Sequence, residues 1–77
     1  MAGRVFPSMK AAELLRLLHR VGYRTIRQSG SHRRMTAPGR APLTFAFHDN
    51  QTLPPGLVKR ILIQDAGLSA DELDAIL

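Results

Sequence analysis

The sequence predicts an α+β domain in which two helices cover one face of a three-stranded antiparallel sheet. Three observations predict it: an apolar stripe at helical spacing near the start, three short β-rich segments separated by turn residues, and a second apolar helical stripe after them. With 77 residues, the chain has room for one small domain with a thin core. The expected order is helix, three strands, helix and a short C-terminal helix, an α-β-β-β-α arrangement with one extra turn of helix at the end.

The first helix is predicted over residues 9–21. Its apolar face consists of Leu14, Leu17, Leu18 and Val21. Ser8 stands where a side chain could cap the first turn, and Gly22 stands where a glycine commonly ends a helix. We expect residues 1–8 to form a flexible leader and residues 9–77 to form the single domain.

The three strands are predicted at residues 23–28, 31–37 and 43–48. Residues 29–30 and 38–40 separate them with Gly, Ser and Pro, which are turn-forming residues. In the third segment Leu43, Phe45 and Phe47 alternate with smaller or polar side chains. Because alternate residues of a strand share a face, these three side chains should point toward the helices.

The rest of the chain is predicted to be helical after a loop at residues 49–55. Pro55, or the proline before it, is suited to open a helix whose apolar face runs to Ala66. Ser69 and Glu72 have the spacing of a capping box, in which each residue satisfies a backbone N–H of the other. A short last helix should therefore begin there.

Positive charge is concentrated in the first part of the chain. Residues 1–48 carry nine Lys and Arg and one acid, whereas residues 49–77 carry two bases and five acids, for a net charge of +5. This asymmetry suggests a polyanionic partner such as a nucleic acid, an acidic protein partner, or both.

Several function classes are excluded by composition. Cysteine is absent, which removes disulfide frameworks, cysteine-based metal sites and thiol nucleophiles. No apolar run approaches the length of a membrane span, and the first residues do not have the pattern of a signal peptide. We therefore expect a cytoplasmic protein without a cofactor.

One histidine lies in a context that suits phosphodiester chemistry. Alternation along the second strand places His32 and Arg34 on the face that the helices leave open, and Arg33 and Met35 on the other. His48 has the corresponding position on the third strand, although a β-bulge would reverse either assignment. An imidazole can accept a proton from a ribose 2′-OH or donate one to a leaving oxygen. The alternative is a surface histidine without a catalytic role.

Other residues near His32 are candidates for binding RNA. Arg27, Arg33 and Arg34 could bind phosphates, although at most two of the three can share a sheet face. Gly30 should form the turn, and Ser31 could support it or bind phosphate. No metal site is expected, since a mechanism that uses the substrate's own hydroxyl needs none. Among the aromatic residues, we expect Phe6 and Tyr23 to be available for base stacking, and Phe45 and Phe47 to be core.

Short motifs occur in a fixed order along the chain: Met9-Lys10 before an amphipathic helix, Gly22-Tyr23, Arg27-Gln28, Gly30-Ser31-His32, a strand ending in His48, Pro55-Gly56, Ile61-Leu62 and Ala66-Gly67-Leu68-Ser69. In this order they resemble the HicA family, the toxins of bacterial type II toxin–antitoxin pairs. The resemblance runs from about residue 9 to residue 77.

This resemblance implies a fold like that of double-stranded RNA-binding domains. It also implies a metal-independent endoribonuclease that cleaves mRNA, with the family's catalytic histidine at His32, and a HicB-type antitoxin that covers the active face. The chain departs from the common family pattern after the Gly-Ser-His triplet and before His48, so His48 is only a possible auxiliary residue.

Two noncatalytic readings are alternatives. Ordinary double-stranded RNA-binding domains contact phosphates with lysines at the start of the second helix. Here that helix opens with uncharged residues, and Lys59-Arg60 follow later, which argues against a duplex binder. The other alternative is a protein-interaction module whose basic surface holds an acidic partner.

Overall fold

The computed structural model describes residues 4–77 and confirms the predicted fold class. The elements are β1 (Met9–Lys10), α1 (Ala11–Arg20), β2 (Arg24–Ser29), β3 (His32–Thr36), β4 (Leu43–Ala46), β5 (Thr52–Leu53), α2 (Pro55–Lys59), a π-helical continuation of α2 (Arg60–Asp65) and α3 (Ala70–Ile76). Strands β2, β3 and β4 form an antiparallel sheet in that order. Within the described residues, no helix is long and apolar enough to cross a membrane.

The core lies between the helices and one face of this sheet. Leu14 and Leu18 of α1, Met35 of β3, Phe45 of β4 and Leu62 of the π-helical segment are all at most 1% exposed. Each large apolar side chain buried in this way stabilises the fold by about 1.5–3 kcal/mol. The prediction that Met35, Leu43 and Phe45 face the core is confirmed.

Two predictions about the start of α1 are wrong. The helix begins at Ala11, and its N-cap is Lys10, which makes no side-chain capping bond, so Ser8 does not cap it. Met9 and Lys10 are instead extended and pair with Leu53 and Thr52. This small second sheet was not expected, because two-residue strands leave no alternation in the sequence. Its second strand, β5, lies within the loop predicted at residues 49–55.

Residues 4–8 have no regular secondary structure, but they pack on the domain. Phe6 is 7% exposed and belongs to the core, and Arg4 forms an ion pair with Asp74 of α3. The expectation of a flexible leader therefore does not hold for this stretch, since a buried phenylalanine ties it down. Residues 1–3 lie outside the described residues.

A β-bulge in β2 changes which side chains share a face. Thr25 is opposite Met35 and Arg27 is opposite Arg34, so the register shifts at Ile26 between them. Cross-strand partners lie on the same side of a sheet, so Thr25 points to the face of Met35 and Arg27 points to the face of Arg34. Without the bulge, Thr25 and Arg27 would share a face.

The C-terminal elements close the domain. The predicted capping box is confirmed: the Ser69 hydroxyl accepts from the Glu72 N–H at 3.2 Å, and the Glu72 carboxylate accepts from the Ser69 N–H at 3.0 Å. The other Glu72 carboxylate oxygen pairs with Arg40, which also donates to the Val21 and Ala66 carbonyls at 3.4 Å. Arg40 thus links the β3–β4 loop to the helices.

Phe6 gives a direct test of the packed leader. Phe6→Ala should lower the free energy of unfolding by about 3 kcal/mol, because a large buried ring is removed and a cavity is left. The matched control is Val5→Ala at a side chain that is 90% exposed, which should change stability by less than about 0.5 kcal/mol. Urea unfolding measures both. Equal, small effects would mean that the leader does not contribute to the core.

Tyr23 gives a pH-dependent test of the core. Its ring is fully buried, and its hydroxyl donates to the Ala41 carbonyl at 2.7 Å. Burial raises the pKa of Tyr23 above its ordinary 10.0. The unfolded chain therefore loses this proton first, and stability should fall as pH rises above about 10.

The Tyr23→Phe variant should lose about 1 kcal/mol near neutral pH through the missing hydrogen bond. It should then lose less stability than wild type between about pH 8 and about pH 11. Unfolding curves at both values measure the difference. Parallel losses in the two proteins would contradict the role of Tyr23.

Candidate functional site

The β2–β3 hairpin presents the candidate catalytic histidine. Its loop has two residues, Gly30 and Ser31, and Gly30 has a φ of +60°, a conformation that a side chain makes costly. The Gln28 side chain donates to the Gly30 carbonyl at 3.0 Å and supports the turn. His32 is the first residue of β3 and is exposed. Gly30 thus lies in the turn that precedes His32.

The open face of the sheet brings His32 together with two of the three predicted arginines. His32 pairs with Ala46, and Arg34 pairs with Thr44 on one side and with Arg27 on the other. The Arg34 guanidinium donates to the Thr44 hydroxyl at 3.2 Å. We call His32, Arg27 and Arg34 the basic face. All three side chains are exposed, so a ligand can reach them.

The arginines of the basic face form no ion pair with the residues that the structure describes. Among residues 4–77, the ion pairs are Arg4–Asp74, Arg33–Asp49 and Arg40–Glu72. None of them includes Arg27 or Arg34. Two like charges directly opposite each other on a sheet destabilise it. Arg27 and Arg34 therefore concentrate positive charge on the open face of the sheet.

Arg33 points to the other side of the sheet. Its side chain is 16% exposed, and one guanidinium nitrogen contacts the Asp49 carboxylate at 3.4 Å. The other, Nη1, is buried and has no hydrogen-bond partner among the described residues. The sequence prediction that at most two of the three arginines share a face is confirmed, and Arg33 is the one that does not.

A cleft of about 320 Å³ lies at the tip of the hairpin, on the side of the sheet to which Arg33 points. We call it the tip cleft, and its lining residues are Gly30, Ser31, Arg33, Phe47, His48 and Asp49. The register of β3 and β4 explains the position of the cleft. His32 pairs with Ala46, so the residues that follow this pair at the hairpin tip, Ser31 and Phe47, lie at the same end of the sheet. No three His, Asp or Glu side chains in the described part of the chain are grouped as a metal site would require.

The structure corrects the assignment of the aromatic residues. Phe6 and Tyr23, the two expected to be available for base stacking, are both buried in the core. Phe47, which was expected to be core, packs against the core cluster but is only half-buried, and it lines the tip cleft with its ring edge-to-face against Phe45 at a centroid distance of 5.3 Å. Its partial exposure was missed because strand pairing ends at Ala46, two residues before the predicted end of the strand.

The two remaining histidines lie apart from the basic face. His19 is exposed on α1, as expected. His48 follows the end of β4 and lines the tip cleft, whereas the cross-strand partner of His32 is Ala46. Asp49, which the sequence analysis did not select, joins His48 there as the partner of Arg33.

The comparisons with known proteins identify the family. The family model described as HicA toxin of bacterial toxin-antitoxin matches residues 11–68, which include α1, the whole three-stranded sheet and the tip cleft. No curated protein and no solved structure reaches the similarity required for a match. Because the matched segment is well over half of the chain, this protein belongs to the HicA toxin family, which implies an antitoxin partner in a toxin–antitoxin system.

Proposed function

We propose that this toxin is a metal-independent endoribonuclease that cleaves mRNA in the bacterial cytoplasm. The observation that carries the proposal is the basic face: an exposed histidine shares one side of the sheet with two arginines that have no acidic partner among residues 4–77. Guanidinium groups bind phosphates through paired hydrogen bonds, and an imidazole can transfer protons near neutral pH.

The proposed step uses the ribose 2′-OH of the substrate as the nucleophile. His32 accepts the 2′-OH proton as the O2′–P bond forms, and the P–O5′ bond breaks as the departing oxygen gains a proton. The products are a 2′,3′-cyclic phosphate and a 5′-OH end. Arg27 and Arg34 hold the phosphate and stabilise its developing charge. Ser31 and Arg33 bind the RNA from the tip cleft. His48 is a candidate donor of the proton that the departing O5′ atom gains.

A HicB-type antitoxin is the proposed inhibitor. An acidic segment of the antitoxin would neutralise Arg27 and Arg34 and cover His32, so the same surface would bind either RNA or antitoxin. The basic face has no ion pair of its own among the described residues, which supports this exchange.

Replacement of His32 tests the catalytic role. His32→Ala should reduce the rate of cleavage of a single-stranded RNA by about 10²–10⁴-fold, because one proton-transfer group is lost. His19→Ala is the matched control, since His19 is also exposed but lies on α1. Purified proteins are assayed with and without EDTA, which should have no effect.

Expression in a bacterial host separates the alternatives. Growth arrest and mRNA fragmentation with wild type and His19→Ala, but not with His32→Ala, would support the nuclease. Arrest by all three proteins without fragmentation would show toxicity through binding alone and overturn the catalytic role of His32. A pH–rate profile that His48→Ala leaves unchanged would remove His48 from the mechanism.

Salt dependence tests the binding role of the arginines. RNA affinity of the inactive His32→Ala protein should fall steeply with salt, and Arg27→Gln and Arg34→Gln should each reduce the slope of log affinity against log salt by about 0.7. Arg16→Gln removes the same charge from the exposed surface of α1 and should leave the slope unchanged. A slope that none of the three variants alters would favour the protein-interaction alternative.

A further inference from the structure

We infer that the tip cleft binds one unstacked nucleotide of an RNA strand whose neighbouring phosphate lies at His32. That the bound strand is RNA rests on the proposed function. Nucleotide binding in the cleft does not require cleavage, so the two can be tested separately.

The size of the cleft fits one nucleotide. Its volume of about 320 Å³ is at the lower end of the range for small-ligand sites, roughly 300–1,000 Å³. It is bounded by the two-residue turn on one side and by the chain that leaves β4 on the other. A cleft of this kind accepts a base with its sugar, whereas a duplex has no single base free to enter.

Phe47 supplies an aromatic surface for the base. Its ring is half-buried and held in place by the edge-to-face contact with Phe45, which is only 1% exposed. A ring fixed in this way loses little conformational freedom when a base stacks on it. Stacking on aromatic side chains is the common way in which proteins hold single-stranded RNA, and it accepts any base.

Hydrogen-bond donors and acceptors line the cleft together with the Phe47 ring. Ser31 and His48 can donate or accept hydrogen bonds, and the Asp49 carboxylate, which is 61% exposed, can accept from base N–H groups. Arg33 lies against Asp49 and positions the carboxylate while keeping positive charge beside the cleft. Base edges carry both donors and acceptors, so this mixed lining suits a nucleobase better than an apolar ligand.

The cleft and the basic face are adjacent along the chain. Ser31 lines the cleft, and the next residue, His32, belongs to the basic face, so their Cα atoms are about 3.8 Å apart. The two lie on opposite sides of the sheet, because Arg33 of the cleft and Arg34 of the basic face are consecutive strand residues, so an RNA strand passes round the hairpin tip to reach both. A nucleotide held in the cleft is then the neighbour of the one whose phosphate lies at His32, whatever its base.

The experiment maps binding by NMR on isotope-labelled His32→Ala protein, which holds RNA components without cleaving them. The probes are CMP, GMP and ribose 5-phosphate, which lacks a base. CMP and GMP should shift the backbone amide signals of Gly30, Ser31, Phe47 and His48, whereas ribose 5-phosphate should shift mainly those of Arg27 and Arg34.

Two variants of Phe47 complete the test. Phe47→Leu should weaken CMP and GMP binding by about tenfold or more and leave ribose 5-phosphate binding unchanged, whereas Phe47→Tyr, which keeps the ring, should bind as wild type does. If all three probes shift the same amides, the cleft does not bind a base and the inference is wrong. The comparison of the three probes is made on the His32→Ala protein, so it does not depend on whether Phe47→Leu folds.

These outcomes are distinguishable from failure of the proposed function. A wild-type protein that binds CMP and GMP in the cleft but leaves RNA intact would refute the nuclease and keep the nucleotide site. A protein that cleaves RNA through His32 but shows no base-dependent shifts would keep the nuclease and refute the nucleotide site.

Discussion

The helices pack on one face of the three-stranded sheet and leave the other face uncovered, and the placement of the candidate site follows from this one-sided core. Leu14 and Leu18 of α1 and Leu62 of the second helical unit pack on Met35 and Phe45. A domain of 77 residues buries only about 60% of the surface of its unfolded chain. The opposite face of the sheet is therefore available for binding, and this is the face on which His32 lies.

The ion pairs then divide the charged residues between structure and function. Asp74 and Glu72 of α3 pair with Arg4 and Arg40, which hold the N-terminal segment and the β3–β4 loop against the last helix. Arg24 donates to the His19 and Tyr23 carbonyls at the end of α1. Among residues 4–77, no ion pair includes Arg27 or Arg34, and these two side chains lie together on the open face of the sheet.

The hairpin connects the two halves of the candidate site. Its turn needs Gly30 at positive φ, and the short loop places Ser31 at the tip cleft and His32 on the basic face in consecutive positions. Pairing with β2 on one side and β4 on the other holds β3, and with it Ser31 and His32, in place, because β3 is the central strand of the sheet. The basic face and the tip cleft, for which we propose phosphate and base binding, thus share one supersecondary unit.

Local sequence patterns were enough to predict the order of the main helices and the three main strands, the capping box and the open face of His32, but not the short β1–β5 sheet. These are local properties, set by helical spacing, strand alternation and turn residues, and the family resemblance rested on motifs of the same kind. Strand alternation also predicted correctly that Arg33 and Arg34 would separate.

The features that depend on contacts between distant segments could not be predicted from local patterns. The bulge at Ile26, which brings Arg27 beside Arg34, comes from the pairing of β2 with β3 and has no local signal. The burial of Phe6 and the pairing of Met9 with Leu53 require the folded helices and the C-terminal half. The burial of Tyr23 and the partial exposure of Phe47 have the same cause, because burial depends on what packs against a side chain, and periodicity alone does not contain that information.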